Sequence, residues 1–425
     1  MTSSPSSPTL ETGLRSLQAA AFCGLGTQHI FLACVTPLAM ALNLPGWLFS
    51  LVLAGSGLAW IAGTRWWGRP HRAQGPALRT ALSGLGLAML ILAGWTAGLP
   101  GWTGTWPASA QAAVLLASRS AMSFCLAGIP VLAMSWLAAH TLPAERAGTL
   151  SRYASAGALG MVLAPAIAAL ASQAALPAVL AATALLPMWG AVRMRHWPQA
   201  LPPPAPQTGQ SSGPAQAAAQ NERPGAMPGI RPPGSASQGS SPAWPLRMGA
   251  GLAYGAVIAC NLSLSFLWPE RHGMDGAQAL SWSGISLAAA GLGAPLAQAW
   301  MRRRPWRDDA QGVRAGVLSA ALGLAGMALT PWAWLVPPCM GLTGLGLAWL
   351  LPHLQSAAMA GVPPAQLRAV ASQMAGMQGW AMLAAPAVCV PLLAAGAAWP
   401  ALAAAATLLG CLRWCPAPRP LSRLT

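Results

Sequence analysis

Between Pro198 and Pro245 the chain reads PQALPPPAPQTGQSSGPAQAAAQNERPGAMPGIRPPGSASQGSSPAWP. Proline, glycine, serine and glutamine dominate this segment, and the hydrophobic pattern on either side of it stops. Such a composition cannot bury enough apolar surface to offset its ordering entropy, so a disordered linker is expected. It divides the chain into two apolar blocks of similar size.

Hydrophobic residues make up 55% of the 425 residues and charged residues only 7%. Soluble domains carry about 25% charged residues, so the composition points to a membrane protein. The first block holds six apolar segments, at residues 16–41, 46–64, 78–99, 109–138, 150–172 and 176–194. The second holds six more, at 246–268, 278–300, 312–331, 334–358, 370–394 and 397–415. In lipid each segment must satisfy its own backbone polar groups, so all are expected to be helices. The predicted fold is an all-α integral membrane protein with twelve transmembrane helices in two six-helix bundles. The expected divisions are an N-terminal tail (1–15), a first bundle (16–197), the linker (198–245), a second bundle (246–415) and a C-terminal tail (416–425). The polar start MTSSPSSPTLETGLR runs into an apolar segment without a cleavage signature and reads as a cytoplasmic tail.

The net charge is +16, and with no lysine present every basic residue other than histidine is an arginine. The arginines cluster after segments two, four, six, eight and ten and at the C-terminal end; only Arg271 falls on the other side if the segments alternate. That asymmetry reads as a topology signal rather than a nucleic-acid surface, and it puts both termini and the linker in the cytoplasm. The arginine and alanine bias points to a bacterial inner membrane. Trp102 and Trp106 on the outer side, and Trp66, Trp67, Trp197, Trp300 and Trp306 near inner ends, fit interfacial aromatic belts. The eight cysteines form no CxxC pair, and Cys411 and Cys415 have no histidine or carboxylate beside them, so no metal site is expected. No HExxH, GxSxG, Walker loop or paired carboxylate occurs, which points away from an enzyme and from any cofactor.

The two blocks repeat each other. LPAERAGTLSRYASAGALGMVLAP (142–165) follows segment four, and VPPAQLRAVASQMAGMQGWAMLAAP (362–386) follows segment ten. Each has a proline, then an arginine, then a small-residue helix ending in Ala-Pro; Arg146 precedes Pro165 by 19 residues and Arg368 precedes Pro386 by 18. AGSGLAWIAGTRWWGRP in segment two likewise matches AGLGAPLAQAWMRRRP in segment eight. Parallel repeats about an axis along the membrane normal are a transporter plan.

On these features the chain resembles the major facilitator superfamily, over both apolar blocks. Arg119 in segment four resembles the family's arginine motif of the fourth helix, with Met122 and Ser123 in place of the usual Gln and Gly. Gly160-Met-Val-Leu-Ala164-Pro165 resembles the GxxxGP motif typical of antiporters, with Ala164 for the second glycine. Gly63-Thr-Arg-Trp-Trp-Gly68-Arg69-Pro-His-Arg72 resembles the Gly-Asp-Arg-Gly-Arg loop, with Arg65 where the aspartate is expected. The resemblance implies alternating access, with Gly68, Arg69, Gly160, Pro165 and Pro386 in conformational roles, and a cavity lined by segments one, four, seven and ten.

A strongly polar residue at bilayer depth is a functional candidate by default. Gln28, His29, Arg119 and Asn261 fall near mid-depth on three of those four segments and are expected to share one cavity; Gln378 is expected to line an inner vestibule. His353 and Gln298 are expected at the cytoplasmic interface. All seven acidic residues fall in tails, loops or helix ends, so His29 is the expected titrating group, with Glu270 or Asp275 at the outer mouth, or an uncoupled carrier, as the alternatives. The expected function is secondary active efflux of a small organic molecule, drug-like compound, metabolite or siderophore, with protons as coupling ion, by a monomer surrounded by lipid. The alternatives are import of a small organic anion and a non-transporting sensor or assembly protein on the same fold.

Overall fold

The computed structural model describes residues 8–42, 46–69, 73–98, 106–170, 176–197, 244–303 and 309–414. Among these the chain is all-α, with thirteen α-helices. They are α1 (Pro8–Ala41), α2 (Gly46–Trp67), α3 (Gln74–Ala97), α4 (Ala108–Leu126), α5 (Gly128–His140), α6 (Pro143–Leu170), α7 (Leu176–Arg193), α8 (Trp244–His272), α9 (Gly276–Arg303), α10 (Asp309–Leu329), α11 (Val336–Ala358), α12 (Leu367–Ala395) and α13 (Trp399–Gly410). Helices α4 and α5 meet at Ala127 and run as one rod over Ala108–His140, so the thirteen helices make twelve rods. Six are long and apolar enough to cross a membrane by length and composition, seven if α8, bent by 46° between Leu264 and Phe266, counts as one span. Others, such as α1 and α9, dilute their apolar runs with glycine, serine and glutamine.

Most of the linker lies outside the described residues, but Trp244 and Pro245 already belong to α8. At the other end α1 starts at Pro8, inside the stretch expected to be a polar tail. Glu11 pairs with Arg15 one turn on and with Arg152 on α6, while Leu14 and Leu17 are buried beneath them. A helix with one apolar face and charge pairs at its start is stable at an interface where a bare polar tail has nothing to pack on.

Packing repeats with the sequence. In the first half α1 packs on α6 and α7, α2 on α4, and α3 on α7; in the second α8 packs on α12 and α13, α9 on α11, and α10 on α13. Between the halves, α6 crosses α9 and α2 crosses α12, two contacts that the same repeat interchanges. Lipid gives helices no hydrophobic reason to associate, so close backbone approach through small residues must supply the contact. At the α2–α12 crossing a Cβ on Gly57 would stand 2.7 Å from the Gly379 carbonyl oxygen. At the α1–α6 crossing a Cβ on Gly160 would stand 2.7 Å from the Cα of Gly26. Gly160 therefore has a packing reason to lack a side chain.

The outward faces carry Leu185, Leu296 and Leu322 at more than 60% exposure, a cost in water and none in lipid. Exposed tryptophans mark both ends: Trp189, Trp244 and Trp300 at the arginine-rich end, Trp332, Trp334 and Trp399 at the other. Trp67 is not one of them. It is buried, and its indole Nε1 donates to the Phe124 carbonyl at 2.9 Å, so it ties α2 to α4.

Candidate functional site

Helix α4 buries a stripe one or two residues wide each turn: Gln111 and Ala112, Leu115, Ser118 and Arg119, Met122 and Ser123, Leu126. Arg119 is the charged member of this inward stripe and is 1% exposed. Its guanidinium carbon lies 5.0 Å from the ring centre of Phe31 on α1. Its Nε and Nη1 have no hydrogen-bond partner, and no carboxylate pairs with it among the described residues. Beside it on α1, His29 is half-buried and within electrostatic reach of the guanidinium. Gln28 is buried with its Oε1 unpartnered, as is the Ser123 hydroxyl one turn along α4 from Arg119.

Arg119 stands eleven residues from the end of α4 remote from the arginine-rich loops, His29 twelve from that end of α1, and Asn261 eleven from that end of α8. With a rise of about 1.5 Å per residue, all three lie about 16–18 Å in. Asn261 is half-buried in the other bundle and already has a partner of its own. The structure thus puts His29 beside Arg119, with Gln28 next to it in the chain, and Asn261 a similar number of residues from the same end of its helix. Gln378 does not join them. It is half-buried on α12, eleven residues from the arginine-rich end.

From mid-depth towards the arginine-rich end the bundles are closed on each other. Trp60 Nε1 on α2 donates to the Ala375 carbonyl at 2.8 Å, and Ser372 Oγ on α12 donates to the Thr64 carbonyl at 2.7 Å. On the equivalent pair, Ser155 Oγ on α6 donates to the Ala294 carbonyl on α9 at 3.2 Å. The two repeat-related arginines finish the seam. Arg146 Nη1 donates to Met359 O at 2.8 Å and its Nη2 to Ala138 O at 3.0 Å, while Arg368 Nη1 donates to Arg69 O at 3.1 Å. Arg69 stacks its own guanidinium on Trp66, 4.6 Å from the ring centre, and Gly68 leaves the room that Ser372 occupies. The loop that lacks the family's aspartate is therefore held through its backbone. The chain's two tyrosines, Tyr153 on α6 and Tyr254 on α8, lie within electrostatic reach of each other, each ten residues from the arginine-rich end of its helix. Nothing in the local pattern around either tyrosine signalled this; only the packing of the halves brings them together. Pro386 is buried within α12, and Pro165 lies within α6, its side chain outside the described residues.

The acids are occupied elsewhere. Both Glu270 carboxylate oxygens accept the Ala397 N–H at 3.1 Å, tying α8 to the turn before α13. Asp275 accepts the Gln278 N–H at 2.8 Å at the start of α9. Beside Glu270, Arg271 donates to the Ala328 and Leu329 carbonyls that end α10. His353, expected at the interface, is instead buried, with its Nδ1 2.8 Å from Asp309 Oδ1 and Ser356 Oγ donating to Asp309 Oδ2 at 3.3 Å. Its ring presses on Gly312, so the pair joins α10 to α11 inside the second bundle. Among the described residues no group of three or more His, Cys, Asp or Glu is gathered to hold a metal.

Two six-helix halves related by a repeat, crossed through α2–α12 and α6–α9 around buried polar groups at mid-depth, define the fold of the major facilitator superfamily. Comparison with solved structures agrees over nearly the whole chain. The human organic anion transporter MFSD10 superposes with a TM-score of 0.66 at 16% identity, covering 96% of this chain and 100% of that one. The proton:xylose symporter XylE gives 0.65 at 12% identity, over 96% and 95%. A bacterial homologue of the iron transporter ferroportin, in an outward-facing state, gives 0.60 at 12% identity, over 94% and 98%. No family model and no curated protein sequence matches the chain.

Proposed function

We propose that the chain is a secondary transporter that moves a small organic molecule across the bacterial inner membrane by alternating access. The observation that carries this reading is the seam between the bundles among the described residues. The hydrogen bonds from Trp60, Ser155, Ser372, Arg146 and Arg368 join the bundles from mid-depth to the arginine-rich end, and the Arg119–His29 group lies on the other side of mid-depth. With the arginine-rich end in the cytoplasm, this is an outward-open state, with residues 16–197 and 246–415 as the rocking bodies and both termini inside. Support for small-solute transport also comes from the fold neighbours, which are named as transporters of organic anions, xylose and iron. The Gly160–Pro165 motif supports export, and His29, whose charge changes near neutral pH when unperturbed, is the coupling group.

The test is transport into inverted vesicles under an imposed pH gradient, using compounds selected by a resistance screen of a deletion strain. Gradient-driven uptake is expected, lost in His29→Ala while solute exchange persists. A compound set that never moves, together with an Arg119→Ala strain indistinguishable from wild type, sinks the transporter reading.

A further inference from the structure

We infer that the solute is an organic monoanion and that Arg119 binds its carboxylate; the inference rests on the transport reading above and names the class of molecule carried. A buried guanidinium must be paired and hydrogen-bonded or it weighs heavily against the fold. The same protein shows what a buried structural arginine looks like: Arg146 donates from both Nη1 and Nη2 to main-chain carbonyls. Arg119, more deeply buried, leaves Nε and Nη1 unmatched, with the Phe31 ring 5.0 Å from its guanidinium carbon. A cation–π contact of about 0.5–2 kcal/mol does not replace those bonds.

The surroundings select the ligand. The unpartnered Ser123 hydroxyl adds a neutral donor one turn along α4, and the half-buried His29 keeps one side of the group accessible. The acids of the described residues, Glu11, Glu145, Glu270, Asp275 and Asp309, all stand at helix ends, so a cationic solute has no counter-charge at this depth. One guanidinium neutralises one carboxylate, whereas a second negative charge on the solute would find a counter-charge only while His29 holds a proton.

The experiment uses the full chain in nanodiscs and follows thermal unfolding by tryptophan fluorescence. Sodium benzoate at 50 mM is compared with its uncharged analogue benzamide and with sodium chloride at equal ionic strength. Benzoate is expected to raise the midpoint by about 2–4 °C over chloride, and benzamide to leave it unchanged. Arg119→Gln should abolish the benzoate shift and, without ligand, melt at or above the wild-type temperature, since it no longer buries an unpaired charge. Arg119→Lys, which keeps the charge, should retain part of the shift. The inference is overturned by an equal response to chloride or benzamide, by no benzoate response in the wild type, by a shift that survives Arg119→Gln, or by Arg119→Gln melting several degrees below wild type. An Arg119-dependent benzoate shift in a protein that moves no solute across vesicles leaves the anion site standing and overturns transport. Transport of neutral solutes untouched by Arg119→Gln overturns the anion site alone.

Discussion

Asp309 holds His353 and Ser356 through both carboxylate oxygens in a partly buried corner between α10 and α11. Asp309→Asn turns one acceptor into a donor facing the Ser356 hydroxyl and removes the charge from the His353 contact. A loss of about 1–3 kcal/mol is expected, read as a lower unfolding midpoint in detergent, with binding at Arg119 unchanged because that group lies in the other bundle. The contrast between these two sites shows what a sequence displays of a site. Arg119 and His29 stood out because charge and imidazole within an apolar run have few structural uses. His353 looked interfacial because its partner is 44 positions away and lies at the start of another helix. Trp67 was misplaced in an aromatic belt for the same reason, since the Phe124 carbonyl that receives its N–H is 57 positions distant. Residue type gives the demand for a partner; only the packed chain supplies the partner.

Among the helices, the AGSG of α2 and the AGLG of α9 each turn one glycine to the helix's own bundle and one to the other. Gly55 meets Leu116 on α4 while Gly57 meets Gly379; Gly293 meets Gly341 and Leu345 on α11 while Gly291 meets Ala158 and Val162. Gly57→Leu should therefore prevent closure at the arginine-rich end without unfolding the first bundle. The expected readout is loss of the disulfide formed by a Thr64→Cys/Ser372→Cys pair, whose wild-type side chain and backbone are in hydrogen-bond contact. Unchanged cross-linking in Gly57→Leu means that the crossing is not what sets closure. Arg146→Ala should lower the same cross-link less, because Arg368, Trp60 and Ser155 still bridge the seam. The repeated landmarks were legible in sequence down to the paired glycines and arginines. The direction each glycine faces was not, because rotation about a helix axis is fixed by neighbours that composition does not specify.

Among the described residues the two halves meet most extensively through four helix pairs, α2–α12, α6–α9, α5–α12 and α6–α11. The covalent joint at residues 198–243 need only span the halves. Deleting twenty residues from it should leave vesicle transport within about a factor of two of wild type if the joint is the linker that its composition predicts, since closure entropy then varies slowly with length. Complete loss of activity in a stably inserted shortened protein assigns the linker a role of its own. The seam itself carries a further consequence. Trp60, Ser155, Ser372, Arg146 and Arg368 all donate to main-chain carbonyls. A carbonyl dipole does not titrate, and with Arg146 buried only the Arg368 bond to Arg69 is open to screening by mobile ions. The closed end should therefore be indifferent to the acidity and salt content of the cell. At Arg69, the acceptor just after α2, it also leaves the side chain free to drift, since any residue that keeps the backbone path offers the same oxygen.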